Sequence, residues 1–209
     1  PTPDASGVYA SRLAKFRVED VVTKGLAVPW AVDFVPPVNA PRNAEGGPAQ
    51  GMLVTNRNGR LNVFADGRLS APVVGTPAVR NRGQGGLMDV AVHPDYAVPG
   101  SKGEGWIYLA YSDEIKAGER SNGMTKIVRG RIAPGTGENA GKLVWTDEQT
   151  IFQAKPEHYV PTDLHFGCRI AFDEPLPDGR RPLFFSIGER GIGDHAQAMR
   201  VEHGDVAVA

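Results

Sequence analysis

Three short stretches concentrate side chains able to do chemistry. In Asp163-Leu164-His165-Phe166-Gly167-Cys168-Arg169, the histidine is the group best suited to accept a proton near neutral pH, and Arg169 could steady a developing anion. The ordinary alternative is a packed histidine beside a solvated or paired arginine. In Ser186-Ile187-Gly188-Glu189-Arg190-Gly191, with Asp194, His195 and Gln197 beyond, Glu189 could orient His165 or bond a substrate hydroxyl. Its ordinary alternative is an ion pair with Arg190 or Arg169. In Arg82-Gly83-Gln84-Gly85-Gly86-Leu87, the glycines let backbone crowd against something flat or bulky, and Gln84 offers both a donor and an acceptor. Read plainly, the same stretch is a glycine-rich turn entering a strand.

Other polar groups suggest structure instead. His93-Pro94-Asp95-Tyr96 reads as a turn, with Asp95 after proline in a capping role. His158 and His203 lack a metal-ligand spacing with the other histidines, so no metal site is assigned. The single cysteine, Cys168, excludes an internal disulfide and reads as a small buried hydrophobe. There is no Walker motif, and Gly188-Glu189-Arg190-Gly191-Ile192-Gly193 fails the dinucleotide-binding spacing.

The elements that must position these groups are strands. The 209 residues include 26 Gly and 17 Pro, which disfavour helices and call for many turns. Three segments repeat one pattern, an alternating strand ending near a proline followed by a strongly apolar strand. They are Trp30–Pro36 with Met52–Thr55, Asp89–Pro94 with Trp106–Tyr111, and Ile170–Pro175 with Leu183–Ile187. Further strands follow: Arg60–Phe64 leads into an Asp66-Gly67 hairpin signal, and Lys126–Ile132, Leu143–Trp145 and Ile151–Phe152 complete a four-stranded unit. Four short antiparallel strands per repeat is the pattern of a β-propeller blade.

The expected fold is therefore all-β, with about three blades over residues 20–80, 81–160 and 161–209, fewer than the four to eight that close a ring. Open edges must be paired or covered. The expectation is that the chain is the N-terminal part of a longer polypeptide, Gly204–Ala209 starting a further strand, or else that copies assemble a ring, a homodimer among the options. Lys+Arg 23 against Asp+Glu 24 gives a net charge of −1, which points away from nucleic acid or an anionic membrane surface as partner. No apolar run reaches the ~20 residues of a membrane span. The opening Pro1-Thr2-Pro3 has no initiator Met, as after removal of a targeting segment, so a periplasmic or secreted location is expected.

Taken in order, Pro29-Trp30, Gly59-Arg60-Leu61, Gly83 through Tyr96, His165-Phe166-Gly167-Cys168-Arg169 and Gly188-Glu189-Arg190-Gly191 resemble one family. It is the soluble aldose sugar dehydrogenases that use pyrroloquinoline quinone (PQQ), also called the glucose/sorbosone dehydrogenase family. The resemblance implies a six-bladed propeller of which roughly half is present. It implies that His165 is the general base that takes the proton of an aldose's anomeric hydroxyl while hydride passes to the quinone C5 carbonyl, giving the lactone. It also implies that Gln84 and His165 contact the quinone, that Glu189 stands where relatives have an Asp supporting the histidine, and that Arg169 shapes the site. The family's calcium ligands and its remaining quinone-holding cations are expected outside these residues, and an external electron acceptor is implied. On this reading the chain by itself is inactive.

Two other functions remain compatible with the residues. A calcium-dependent lactonase would need a carboxylate and amide cage that the Gln84 and His165 stretches do not suit. A non-catalytic propeller that binds a ligand fits the Glu at 189 and the apolar Leu164 before His165.

Overall fold

The computed structural model describes residues 2–36 and 51–194. Among the described residues, twelve strands form four antiparallel sheets. A short hairpin, β1 (Val8–Ala10) and β2 (Lys15–Arg17), comes first. The first four-stranded sheet is β3 (Pro29–Val35), β4 (Gly51–Asn56), β5 (Leu61–Ala65) and β6 (Arg68–Leu69), in chain order. The second is β7 (Leu87–Val92), β8 (Ile107–Ala117), β9 (Arg120–Pro134) and β10 (Leu143–Gln153), also in chain order. The third sheet of the stack has two strands among the described residues, β11 (Gly167–Phe172) paired with β12 (Leu183–Ile187). Residues His195, Gln197, His203 and Gly204–Ala209 lie outside the described residues.

Local sequence accounts for the turns. Asp66 and Gly67 both have positive φ, 50° and 73°, the combination that a tight hairpin matched to strand twist requires. Ala117 pairs with Arg120 across Gly118-Glu119, with Gly118 at φ 64°, so β8 and β9 run on well past the apolar stretches Trp106–Tyr111 and Lys126–Ile132 from which they are legible. Beyond Tyr111, β8 has left β7 behind and pairs with β9 alone. β11 likewise begins three residues earlier than its apolar pattern suggests, because Gly167 reaches Ile187 across a register shift.

The sheets pack face to face through the side-chain alternation of β7 and β8. Val90, Val92, Ile107, Leu109 and Tyr111 point toward the first sheet, where they meet Ala31, Leu53 and Leu61. Ala91, Tyr108 and Ala110 point the other way, onto Ile170 and Leu183 of the third sheet. All six residues of β7 are buried, which is why it reads as a continuous apolar run interrupted only by Asp89. Burial of each large aliphatic side chain contributes about 1.5–3 kcal/mol, so these two layers dominate the packing energy.

Carboxylates of one innermost strand also bond backbone of the next. Asp33 Oδ2 accepts from Val92 N at 2.6 Å, and Asp89 Oδ2 accepts from Ile170 N at 2.8 Å. Burial pushes the Asp89 carboxyl above its ordinary value, opposed by the Ile170 bond and by Arg169. Removing the side chain would strand a buried N–H at a cost of about 1–3 kcal/mol. Asp89→Ala is therefore expected to lower the unfolding free energy by that amount, read from denaturant titration, with the exposed Asp178→Ala as control.

His93 sits where the turn reading puts it. Its Nδ1 accepts from Asp95 N at 3.0 Å, its ring packs edge-on to Phe172 at 5.1 Å, and Asp95 holds Arg181 through two bonds of 3.0 Å. Burial depresses its pKa below 6.5, outweighing the pull of Asp95. The unfolded chain thus takes up this proton at a higher pH than the native one does. The stabilisation is whole above about pH 6.5 and is lost as pH falls from there toward the native value. The loss of melting temperature between pH 7.5 and 5.5 is expected to shrink in His93→Asn, measured by thermal denaturation in matched buffers.

Candidate functional site

Two loops from different sheets meet beside the start of β11. Gln84 comes from the turn entering β7, and His165 from the loop leading out of β10. Gln84 Oε1 accepts from His165 N at 2.8 Å, and Gln84 N donates to Asp163 O at 2.7 Å, so the two loops are zipped together by one residue. Arg80 anchors the arrangement from beneath. It is buried, and its guanidinium holds Asp163 Oδ1 through Nε at 2.9 Å and Glu114 Oε1 through Nη1 at 2.7 Å.

His165 Nδ1 is hydrogen-bonded to Glu189 Oε1. The bond to His165, followed by backbone N–H groups, holds the Glu189 carboxyl below its ordinary value. An ionised carboxylate only accepts hydrogen bonds, so the proton of a neutral imidazole resides on Nδ1 and Nε2 is left as the acceptor. The histidine side chain is 49% exposed against 24% for the carboxylate, which places the imidazole on the open side of the pair. The backbone of His165 has φ 47° and that of Cys168 φ 118°, conformations uncommon for residues with a Cβ that cluster at functional sites.

The cavity beside His165 has a volume of about 270 Å³ and is lined by Trp30, Gln84, Met88, Asp89 and residues His165 to Arg169. Trp30, Met88 and Phe166 supply apolar surface. Arg169, 75% exposed, lies at the rim with Nη1 3.2 Å from Asp89 Oδ1. A larger cavity of about 580 Å³ lies on the far side of Glu189, lined also by Met124, Glu157, His158, Val160 and Arg190. Among the described residues, no three His, Cys, Asp or Glu side chains are grouped to hold a metal ion.

Chain comparison now gives this geometry a family. The glucose/sorbosone dehydrogenase model matches residues 26–208. The chain belongs to that family. It is 34% identical over 179 residues to the aldose sugar dehydrogenase YliI of Escherichia coli, a match covering 85% of this chain and 40% of the relative. Among solved structures, a glucose dehydrogenase superposes with a TM-score of 0.60 at 30% identity, over 83% of this chain and 44% of that one. The apo-form soluble aldose sugar dehydrogenase of Escherichia coli superposes with a TM-score of 0.56 at 32% identity, over 80% and 39%. The chain spans less than half the length of these relatives.

Several expectations change at this point. Glu189 pairs with neither Arg190 nor Arg169. It turns to His165, while Arg190 folds inward beneath the loop. The glycines of the Gln84 turn do not make room for a ligand. A Cβ on Gly83 would stand 2.5 Å from Asp163 O, one on Gly85 would stand 2.5 Å from Arg80 O, and one on Gly86 would collide with Arg57 O. The turn crowds protein backbone, and of this stretch Gln84 alone reaches the cavity. Cys168 is half-buried, with burial pushing its thiol up to about 11, which keeps it protonated and unreactive. Leu164 is exposed and serves through its carbonyl, which accepts from Arg190 Nε at 2.9 Å.

Arg80 does not stand out in the sequence, and Asp163 and Arg190 appear there only as members of their stretches, without these contacts. Arg80 and Asp163 are 83 residues apart, and a lone charge in a loop reads as a solvated one. The only hint is the number of glycines beside them, since a chain that must pass this close to another chain excludes Cβ atoms. Gly188 bears directly on the base, because a Cβ there would overlap the His165 carbonyl. Gly188→Ala is expected to cost about 1–3 kcal/mol of overpacking, read as a fall in melting temperature. Gly193→Ala, whose Cβ would meet nothing within 4 Å, should leave it unchanged.

Proposed function

We propose that this chain carries the base-bearing part of a sugar-oxidising site, within a six-bladed propeller whose first three blades span about residues 20–80, 81–160 and 161–209. The observation that supports this most is that His165 and Gln84 line one cavity while Glu189 holds His165 through its Nδ1. His165 Nε2 accepts the proton of an aldose's anomeric hydroxyl. Glu189 fixes the tautomer and stabilises the imidazolium that forms, its bond tightening as charge appears on the ring. The carbon then loses hydride and the product is the lactone.

The cavity suits a planar, anionic quinone. The apolar surfaces of Trp30, Met88 and Phe166 match ring faces. Among the described residues Gln84 Nε2 donates to no protein acceptor, so its two N–H groups are available to a carbonyl or carboxylate, with the Arg169 guanidinium at the rim. Gln84 and His165 are the residues of this chain that would hold PQQ, which when bound supplies the two-electron acceptor for the hydride. Calcium ligands and further cations would come from the remainder of the ring, and turnover would need an external electron acceptor. A periplasmic or secreted location agrees with such a role, and a homodimer is compatible with it.

Dye-linked oxidation of a panel of aldoses by the full-length gene product, with and without added PQQ and calcium, tests this reading. Activity is expected to require the quinone. His165→Ala is expected to lower kcat by about 10²–10⁴-fold, the usual contribution of a positioned base, and Glu189→Gln by less. Absence of both oxidation and quinone binding in the intact protein would refute the proposal.

A further inference from the structure

Arg190 is a buried cation that faces no carboxylate within ion-pair distance among the described residues. Its Nε donates to Leu164 O at 2.9 Å, Nη1 to Gly123 O at 2.6 Å and Nη2 to Thr162 O at 2.8 Å. The guanidinium carbon lies 3.5 Å from the centre of the Phe166 ring. Its main chain is held as well: Arg190 N donates to His165 O at 3.3 Å, and Thr162 Oγ1 donates to Arg190 O at 2.5 Å. The residue is 3% exposed and has φ 62°. Burial pulls its pKa down to about 10, with Arg80 adding to the fall and Asp163 opposing it.

A buried unpaired charge is unfavourable, and an apolar side chain of similar size would fill the space without that penalty. What an apolar side chain lacks is the planar fork. Three carbonyls that diverge from one another can be met together by Nε, Nη1 and Nη2, and the flat face left over can stack on an aromatic ring. Those contacts are specific in what they join. Leu164 and Phe166 flank His165, Thr162 begins its loop, and Gly123 belongs to β9 of the preceding sheet. Glu189 is the neighbour of Arg190 in the chain.

We propose that Arg190 is the positioning residue of the His165–Glu189 pair: by clamping the residues on both sides of His165 from a backbone that also carries Glu189, it sets the distance and angle between imidazole and carboxylate. Arg190 touches neither member's reacting atoms and acts through them. The kinetic side of this inference rests on the reading of His165 as the base, whereas its geometric side does not.

The test uses the full-length protein labelled with ¹⁵N, compared as wild type, Arg190→Lys and Arg190→Met. In the wild type, the imidazole Nδ1–H bonded to a carboxylate gives a strongly downfield proton, assigned by its loss in Glu189→Gln. Both Arg190 variants are expected to lose that resonance or move it upfield. Lysine fails as well as methionine because a single ammonium cannot serve the diverging carbonyls. In sugar oxidation, kcat is expected to fall about 10²-fold, the effect of roughly an ångström of misplacement, with KM changed less than about threefold, a split that marks a loss in the reacting geometry rather than in binding. An unaltered resonance together with wild-type kcat in Arg190→Met overturns the proposal.

If the Arg190 variants do not fold, Thr162→Val and Phe166→Leu decide. Each removes one contact and leaves the guanidinium in place. A smaller shift of the same resonance in both supports the proposal, and an unmoved resonance in both overturns it. A wild-type protein that shows the resonance behaving as expected but oxidises no sugar supports the positioning role and removes the functional reading.

Discussion

Strand β7 is buried along its whole length, and a strand covered on both faces must have a sheet against each. Much of the structure follows from that requirement. Val90 and Val92 need the first sheet, Ala91 needs the third, and the three sheets are thereby stacked with their innermost strands side by side. Since each sheet is antiparallel and reads in chain order, the loops that join one sheet to the next arrive beside those innermost strands. The Gln84 and His165 loops are two of them.

Stacked sheets leave a difficulty that packing alone does not solve. Apolar faces slide, whereas a base must be placed to within a fraction of an ångström. Polar groups running across the stack remove the freedom. Asp33 and Asp89 each hold the backbone of the next innermost strand, Arg80 ties Asp163 to the extended β8–β9 hairpin, and Arg190 joins the hairpin to the base's loop. Asp89, Arg80 and Arg190 are buried and Asp33 half-buried, and away from water an electrostatic interaction is stronger and a missing partner is more damaging than at the surface. The stack gives the site its neighbourhood, and the buried charges give it its coordinates.

The frame was legible in sequence because its signals are local. The alternation in Asp89–Pro94, the apolar run Trp106–Tyr111 and the Asp66-Gly67 turn each declare themselves within a few residues, and the antiparallel sheets contain them. The long reach of β8 and β9 was not legible, because Ser112–Ala117 and Arg120–Thr125 are mostly polar and pair with each other, with a single further bridge from Gly123 to Val160. At the site, His165, Glu189 and Gln84 were found by chemical type and by resemblance to a family, and the structure brings all three together. Arg80 was missed, and Arg190 was read only as a possible ion-pair partner of Glu189, for a physical reason. A guanidinium that bonds Thr162 and Leu164 carbonyls looks the same in sequence as one in solvent, and only the folded neighbourhood distinguishes the two.

The glycines at 83, 85, 86 and 188 share one property: the atom nearest to the absent Cβ is main chain or sits at the root of a side chain, not the yielding tip of a long one. Such a neighbour cannot rotate away to admit a methyl group. The path of these loops is consequently closed to gradual change, while side chains such as Trp30 and Met88 border the cavity with no such restriction. Lineages of this fold should diverge in ligand preference by exchanging side chains on a fixed trace. The loop trace itself would be inherited nearly unaltered.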